Sequence, residues 1–385
     1  MDFPERFSNL PEYAFPRLRR LLDGVPPGGP ERAMSIGEPK HPFPDWIGEI
    51  IATNLDGFGN YPPNDGTPEL LAAISAWIAR RYGVTVPENR LMALNGTREG
   101  LFNTILALCP ETKGGGKPVV LVPNPFYQVY AVAALTVGAE PVYVPATAQT
   151  GFLPDFASLP AEILDRTVAA FICSPSNPQG AVASRDYLSD LLDLAERHDF
   201  RIHADECYSE IYRGTPPPGI LQVAADCGAD PERVLAFHSL SKRSSLPGLR
   251  SGFVAAGPEA MRQIRQLRAY AGAPLPLPLQ KVAEITAFCR SSCRPGFTLK
   301  GSSRCRREPS SPLPRSILSS CAWSPCRGLV WSCRTKFFIA SWSRALLPRG
   351  ARLCVTVCSV QAGRRNRSIR LLPRLRSIRD AAEKP

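Results

Sequence analysis

Between residues 91 and 256 short apolar runs alternate with segments of helical periodicity, and this alternation restricts the fold more than any other feature of the chain. The runs are Leu91–Leu94, 118–122, 140–144, 168–173, 200–204, 234–237 and 252–256. Apolar for most of their length, they read as strands buried in a covered sheet. Helical patterns fall at 97–109, 125–137, 155–164, 184–199 and 261–270. Strands joined through helices run parallel, so the expected class is α/β with a mainly parallel sheet covered by helices. Ahead of this region one helix is marked at both ends. Thr67 is its N-cap, Pro68 its first residue, Glu69 suits the positive end, and Gly83 closes it. Leu70, Ile74, Trp77 and Ile78 form its core stripe.

Ligands of such sheets bind beyond the carboxyl ends of the strands. Four stretches are thereby selected: 123–127, 174–180, 205–208 and 239–242. The last opens the segment HSLSKRSSLPGLRSGF (238–253), centred on Lys242. Burial lowers a lysine's pKa and frees a neutral amine, which Schiff-base chemistry requires. Ser239, Ser241 and Arg250 can hold an anion beside it, although SxSK alone equally describes an ordinary basic loop. Asp205 ends a buried strand and needs a partner. A pyridinium N–H is one, and Tyr208 can then donate to a phenolate oxygen. Two other readings stay open for the same residues. His203, Asp205 and Cys207 alternate like metal ligands but have no fourth ligand at usable spacing, and Asp205 can simply cap the next turn. Asn95, Gly96, Thr97 and Arg98 set a glycine turn, a hydroxyl and a guanidinium at a helix start, which suits an anion. No GxGxxG occurs, and KGGGK at 113–117 lacks the glycine of a Walker loop. Gly37 permits close backbone approach or a plain turn. Tyr61, in FGNYPPNDG (58–66), is ambiguous on residue chemistry alone.

Six blocks stand in a fixed order: SIGEPKHPFP (35–44), NGTREGLF (95–102), PNPFYQVY (123–130), CSPSNPQGAV (173–182), DECYSEIY (205–212) and FHSLSKRSSLPGLRSGFVA (237–255). Across residues 30–288 the chain resembles the fold-type-I, pyridoxal-phosphate-dependent aminotransferases of class I and II. Within that family the blocks are most similar to members acting on N-succinyl-diaminopimelate in bacterial lysine biosynthesis. The resemblance implies a seven-stranded-type sheet sandwiched by helices, with a small α/β domain built from both termini. It implies pyridoxal 5'-phosphate as cofactor, amino-acid and 2-oxo-acid substrates, and a homodimer. Lys242 then binds the cofactor covalently and moves the substrate proton, Asp205 pairs with the pyridine nitrogen, and Tyr208 and Asn177 bond the phenolic oxygen. Tyr127 stacks on the ring, and Thr97, Arg98, Ser239 and Arg250 hold the phosphate. Tyr61 reaches the phosphate of the neighbouring subunit. Asn177 and the backbone of Gly37 meet the substrate. Gln179 departs from the family's SNPTG, which has threonine there.

Composition divides the chain. Residues 289–385 carry 21 Lys and Arg, 3 Asp and Glu and 8 of the 12 Cys, while the first 288 residues hold 25 basic and 31 acidic groups. The overall +12 therefore belongs to the tail. The expected division is an arm at 1–33, a large cofactor domain at 34–288, and an aberrant basic Cys/Ser/Arg-rich tail in place of the small domain's second half. The family's arginine for the substrate α-carboxylate has no counterpart there. Three readings compete for the tail: translation out of frame, a basic appendage for nucleic acid or membrane surfaces, and a zinc module, whose paired CxxC spacing is missing. Out-of-frame translation accounts for the composition and the abrupt change together. No apolar stretch is long enough to span a membrane, and MDFPERFSNLPEYAF lacks the secretory pattern, so a cytoplasmic enzyme that needs no metal and no nucleic acid is expected. The rivals are another activity on the same fold, such as a C–S lyase, a binding protein with a nucleic-acid appendage, and an inactive product.

Overall fold

Seven strands make one sheet: β1 Leu91–Leu94, β2 Val119–Asn124, β3 Glu140–Pro145, β4 Thr167–Cys173, β5 Arg201–Asp205, β6 Val234–Ser239 and β7 Gly252–Ala255. The computed structural model describes residues 10–30 and 36–288. The readings of the 289–385 tail, and parts of the expected arm at 1–33, lie outside the described residues. The strand order is β1-β7-β6-β5-β4-β2-β3. The pairs β2–β3, β2–β4, β4–β5 and β5–β6 are parallel, and β7 is antiparallel to both β6 and β1.

The helices are α1 Ala14–Leu22, α2 Ile47–Ala52, α3 Pro68–Tyr82, α4 Thr97–Leu108, α5 Val129–Thr136, α6 Ala161–Leu164, α7 Arg185–Arg197, α8 Ile220–Cys227, α9 Leu240–Arg243, α10 Pro258–Ala271 and α11 Leu277–Phe288. Two apolar layers flank the sheet. One joins α3, α7, α8 and α11 through Leu70, Ile74, Trp77, Leu188, Leu191, Ile220 and Val282. The other joins α4, α5 and α10 through Leu101, Ile105, Tyr130, Ala133, Met261 and Ile264. Successive strand side chains point to opposite faces. Ile202 and Ala204 of β5 and Val234 and Ala236 of β6 enter the first layer, and Leu235 and Phe237 enter the second. The whole β4 run is buried, as a central parallel strand requires. The architecture is the one expected from the alternating pattern, a mainly parallel sheet between helical layers.

The caps of α3 form as expected. Thr67 Oγ1 accepts from the Leu70 N–H at 3.3 Å, and Gly83 takes the left-handed conformation at φ 72°. Three expectations are corrected. The helix expected over 125–137 begins only at Val129, because Pro125 has no N–H and keeps Asn124 extended in β2. The one expected over 155–164 divides into a 3-10 turn, Phe156–Ser158, and α6, with Pro160 interrupting between them. Lys242 stands not on an open turn but in the single-turn helix α9, capped by Ser239, whose hydroxyl accepts from the Ser241 N–H at 3.1 Å. The pattern reading passed over α8 and α11. Among the described residues, no helix is long and apolar enough to cross a membrane.

Candidate active site

Strands β1, β2, β4, β5 and β6 end on one edge of the sheet, and antiparallel β7 begins there. The topology therefore brings together the segments at 95–98, 123–127, 174–180, 205–208 and 239–242, with 250–252 leading into β7. Period-two alternation then selects the face. Cys173 pairs with Asp205 across β4 and β5, and Ser239 pairs with Gly252 across β6 and β7. Asp205 and Ser239 point as Leu235 and Phe237 do, into the α4–α5 side.

Asp205 is buried. Its Oδ2 accepts from the Tyr130 hydroxyl at 2.7 Å and its Oδ1 from the Cys207 N–H at 3.3 Å. These bonds make up for the water the carboxylate lost. Tyr130 is itself buried and stacks on Phe171 with ring centroids 4.3 Å apart. The sequence reading missed it, because a tyrosine on the inner face of an apolar helix reads as core. The only signal was its place at the end of the block PNPFYQVY. Cys207 continues past β5, and its Sγ lies 3.1 Å from the Thr97 hydroxyl. Burial, reinforced by the Asp205 charge, pushes both the Cys173 and Cys207 thiols well up, so they stay protonated. His203 lies between Phe171 and Phe237 with neither ring nitrogen bonded. Burial, helped by the Arg201 charge, lowers its pKa to about 3, so it is a neutral core ring. Among the described residues no three His, Cys, Asp or Glu side chains are grouped to hold a metal.

Lys242 is half-buried, and its Nζ donates to the Gly37 carbonyl at 2.5 Å. Burial lowers its pKa, and Arg250 adds to the effect, while Cys207, Glu38 and Asp205 oppose it. Gly37 thus approaches the lysine by its backbone alone. Around the start of α4 the turn is tightly built. Gly96 has φ 80°, and a Cβ there would stand 2.5 Å from Arg250 Nη2. At Gly252 a Cβ would meet the His238 carbonyl at 2.6 Å and Thr97 N at 3.3 Å. Arg250 is itself left-handed at φ 54°, a strained state for a side-chain residue. The turn directs its guanidinium back to the Pro247 carbonyl at 3.0 Å and the Asn95 carbonyl at 3.4 Å.

Thr97 is buried at the first position of α4, and the Ser239 hydroxyl donates to the Ser251 carbonyl at 3.4 Å. Arg98 is directed elsewhere: its Nε donates to the Tyr127 hydroxyl at 2.8 Å and its Nη2 to the Tyr13 hydroxyl at 3.4 Å. Tyr127 meets Tyr130 edge to face at 5.8 Å. Burial pushes the Tyr208 hydroxyl well above the ordinary tyrosine range, so it stays a donor. Asn177 lines a small cavity with Tyr130, Phe126, Cys173 and Gln179, and Gln179 Oε1 there is buried without a partner. Tyr61 stands apart, fully exposed.

The family pattern described as aminotransferase class I and II matches residues 33–284. An LL-diaminopimelate aminotransferase of Desulforudis audaxviator is 38% identical over 275 residues, covering 70% of this chain and 68% of that protein. The LL-diaminopimelate aminotransferase 2 of Trichormus variabilis is 30% identical over 289 residues, covering 74% and 72%. Among solved structures, an aminotransferase from Neisseria meningitidis superposes with a TM-score of 0.69 at 39% identity, over 74% of this chain and 73% of that one. The aminotransferase AspB from Helicobacter pylori gives 0.66 at 35% identity, over 74% of each.

Proposed function

The chain belongs to the aminotransferase class I and II family, and from that premise we propose that it transfers the amino group of a diaminopimelate-type amino acid to 2-oxoglutarate through Lys242. Members of this family depend on pyridoxal phosphate, act on amino-acid and keto-acid substrates, and are typically dimeric. One observation carries the proposal: an amine of lowered pKa, Lys242, lies on the same sheet edge as a buried carboxylate, Asp205, held by Tyr130.

The residues present fit the cofactor. The positive end of the 12-residue α4, the Thr97 and Ser239 hydroxyls and the Arg250 guanidinium make a donor set for a phosphate dianion. The bare backbones of Gly96 and Gly252 let the Arg250 guanidinium and the start of α4 close in, where a Cβ would clash. A buried carboxylate with lone pairs to spare suits a pyridinium N–H. The bound cofactor supplies an amine-accepting aldehyde and a sink for the electron pair left when a C–H bond breaks.

The chain's own groups do the rest. Lys242 Nζ would hold the cofactor at its aldehyde group, and as a neutral amine it would take the proton from the substrate Cα. Asp205, which accepts from the Tyr130 hydroxyl and the Cys207 N–H, would accept from the ring N–H of the cofactor. The Tyr208 hydroxyl and the Asn177 amide would donate to the phenolic oxygen. Tyr127, tethered by Arg98, would cover the ring face. Asn177 and Gly37 would meet the substrate, and Tyr61, exposed on the surface, would reach a second protomer's phosphate. Arg98, already engaged by two tyrosine hydroxyls, serves the phosphate only by leaving them.

The blocks quoted above favour the N-succinylated substrate, whereas the relatives named above carry LL-diaminopimelate in their names. The test is the near-ultraviolet and visible absorption of the full-length chain with pyridoxal phosphate, before and after adding glutamate, N-succinyl-LL-diaminopimelate or LL-diaminopimelate. A Lys242-dependent band that bleaches with glutamate and one diaminopimelate supports the proposal and selects the substrate. A band that gives keto acid, ammonia and thiol from cystathionine instead would make the chain a lyase. Absence of any band would overturn the proposal.

A further inference from the structure

We propose that Arg268, which lies outside the expected cofactor contacts, is a positioning residue that adapts the turn at 95–97 to a phosphate by neutralising and holding Glu99. The inference rests on the function proposed above. Arg268 belongs to α10, which covers α4, and it is 1% exposed. A buried guanidinium is tolerated only when paired and fully hydrogen-bonded. Its Nε is ion-paired with Glu99, Nη1 donates to Asn64 Oδ1 and to the Gly272 carbonyl at 3.4 Å each, and Nη2 donates to the Ala273 carbonyl at 3.3 Å.

Glu99 lies in the first turn of α4. Its second oxygen accepts from the Asn95 N–H at 2.7 Å. That bond fixes the residue just before Gly96, and the Asn95 side chain is tied to the Ala273 carbonyl as well. A free carboxylate here would occupy the positive end of the helix and repel an incoming dianion. Paired with Arg268, it keeps its hold on Asn95 without that repulsion. Gly272 is the enabling residue, because a Cβ there would stand 2.7 Å from Glu99 Oε1 and 3.3 Å from Arg268 Nε. The same helix reaches the loop that carries Tyr61. Arg265 Nε pairs with Asp65 at 2.7 Å, and Asp65 in turn accepts the Ala93 N–H by its backbone carbonyl at 2.8 Å. One face of α10 therefore sets both the chain's own phosphate turn and the loop directed outward.

The test compares pyridoxal phosphate with pyridoxal, which lacks the phosphate, by absorption titration of the full chain. In Arg268→Met the affinity for pyridoxal phosphate falls by about tenfold or more while that for pyridoxal stays. Arg268→Met with Glu99→Gln restores the preference for the phosphate, since glutamine accepts the Asn95 N–H without charge. Equal loss for both ligands, or an unchanged ratio, overturns the proposal. Amide exchange at Asn95 in the cofactor-free chain gives a second reading, slow in wild type and faster in Arg268→Met. If wild type takes up neither ligand, the proposed function falls, and exchange still decides the clamp: unchanged exchange overturns it. Should Arg268→Met not fold, Arg268→Lys, which keeps the charge and loses the fork, gives the same two readings with a smaller loss, and no change in either overturns the proposal.

Discussion

At the residue scale the proposed site rests on a half-buried amine and a buried carboxylate with opposite needs. Lys242 is pulled toward its neutral form by burial. Because its pKa lies below 10.5, its proton leaves at lower pH than that of a surface lysine, and covalent capture of an aldehyde rises with pH through a midpoint below 10.5. Borohydride trapping of pyridoxal phosphate across a pH series measures that midpoint, and Lys242→Ala abolishes the product. The same shift means that the folded chain holds fewer protons than the unfolded chain between the lowered value and 10.5, so stability rises with pH in that window. Asp205 needs donors instead. Tyr130→Phe removes the shorter of its two bonds and leaves Oδ2 buried without a donor, which costs about 1–3 kcal/mol. Urea unfolding of the cofactor-free variant reads this directly, and wild-type stability in it would mean that the hydroxyl does not support the carboxylate.

At the scale of elements, the turn proposed for the phosphate is made by the junction of β1 and α4 against the start of β7. Gly96 is positioned at φ 80° under the Arg250 guanidinium. Gly96→Ala has to displace Arg250 and strain the backbone together. It lowers affinity for pyridoxal phosphate while the fold of the sheet stays, measured by absorption titration alongside circular dichroism. Two other boundaries follow proline. Pro125 delays α5 until Val129, which leaves Tyr127 on the strand-end loop where it can meet Arg98. Pro160 divides what pattern alone joined.

At the scale of the molecule, the parallel strands and the single antiparallel β7 gather six separate segments on one edge. Tyr61 is outside that gathering and fully exposed. If it completes the site of a second copy, Tyr61→Ala and Lys242→Ala chains are each impaired alone, and mixing them regains activity, since hybrid dimers hold one intact site each. Random pairing makes about a quarter of all sites intact. Activity that fails to rise above both parents after co-expression would place Tyr61 outside the site.

The order of strands and helices, the caps of α3 and the residues at the strand ends were legible from the chain because each depends on neighbours within a few positions. Apolar runs, a threonine before a proline and a glycine at a helix end carry their meaning locally. Lys242, Asp205, Tyr208 and Thr97 were picked out this way as candidates, and the ordered blocks suggested the roles proposed for them. Tyr130 and Arg268 were not, because a tyrosine in an apolar stripe and an arginine in a basic helix become informative only through distant partners: Asp205 lies 75 positions from Tyr130, and Glu99 lies 169 positions from Arg268. Arg98 was assigned to a phosphate by its place in the turn, and only the fold brings Tyr127 and Tyr13 to it. The sequence determined which chemistry is possible. Tertiary structure decided which buried charge is paired with which, because the cost of burial is relieved only by a partner that the chain's path brings near.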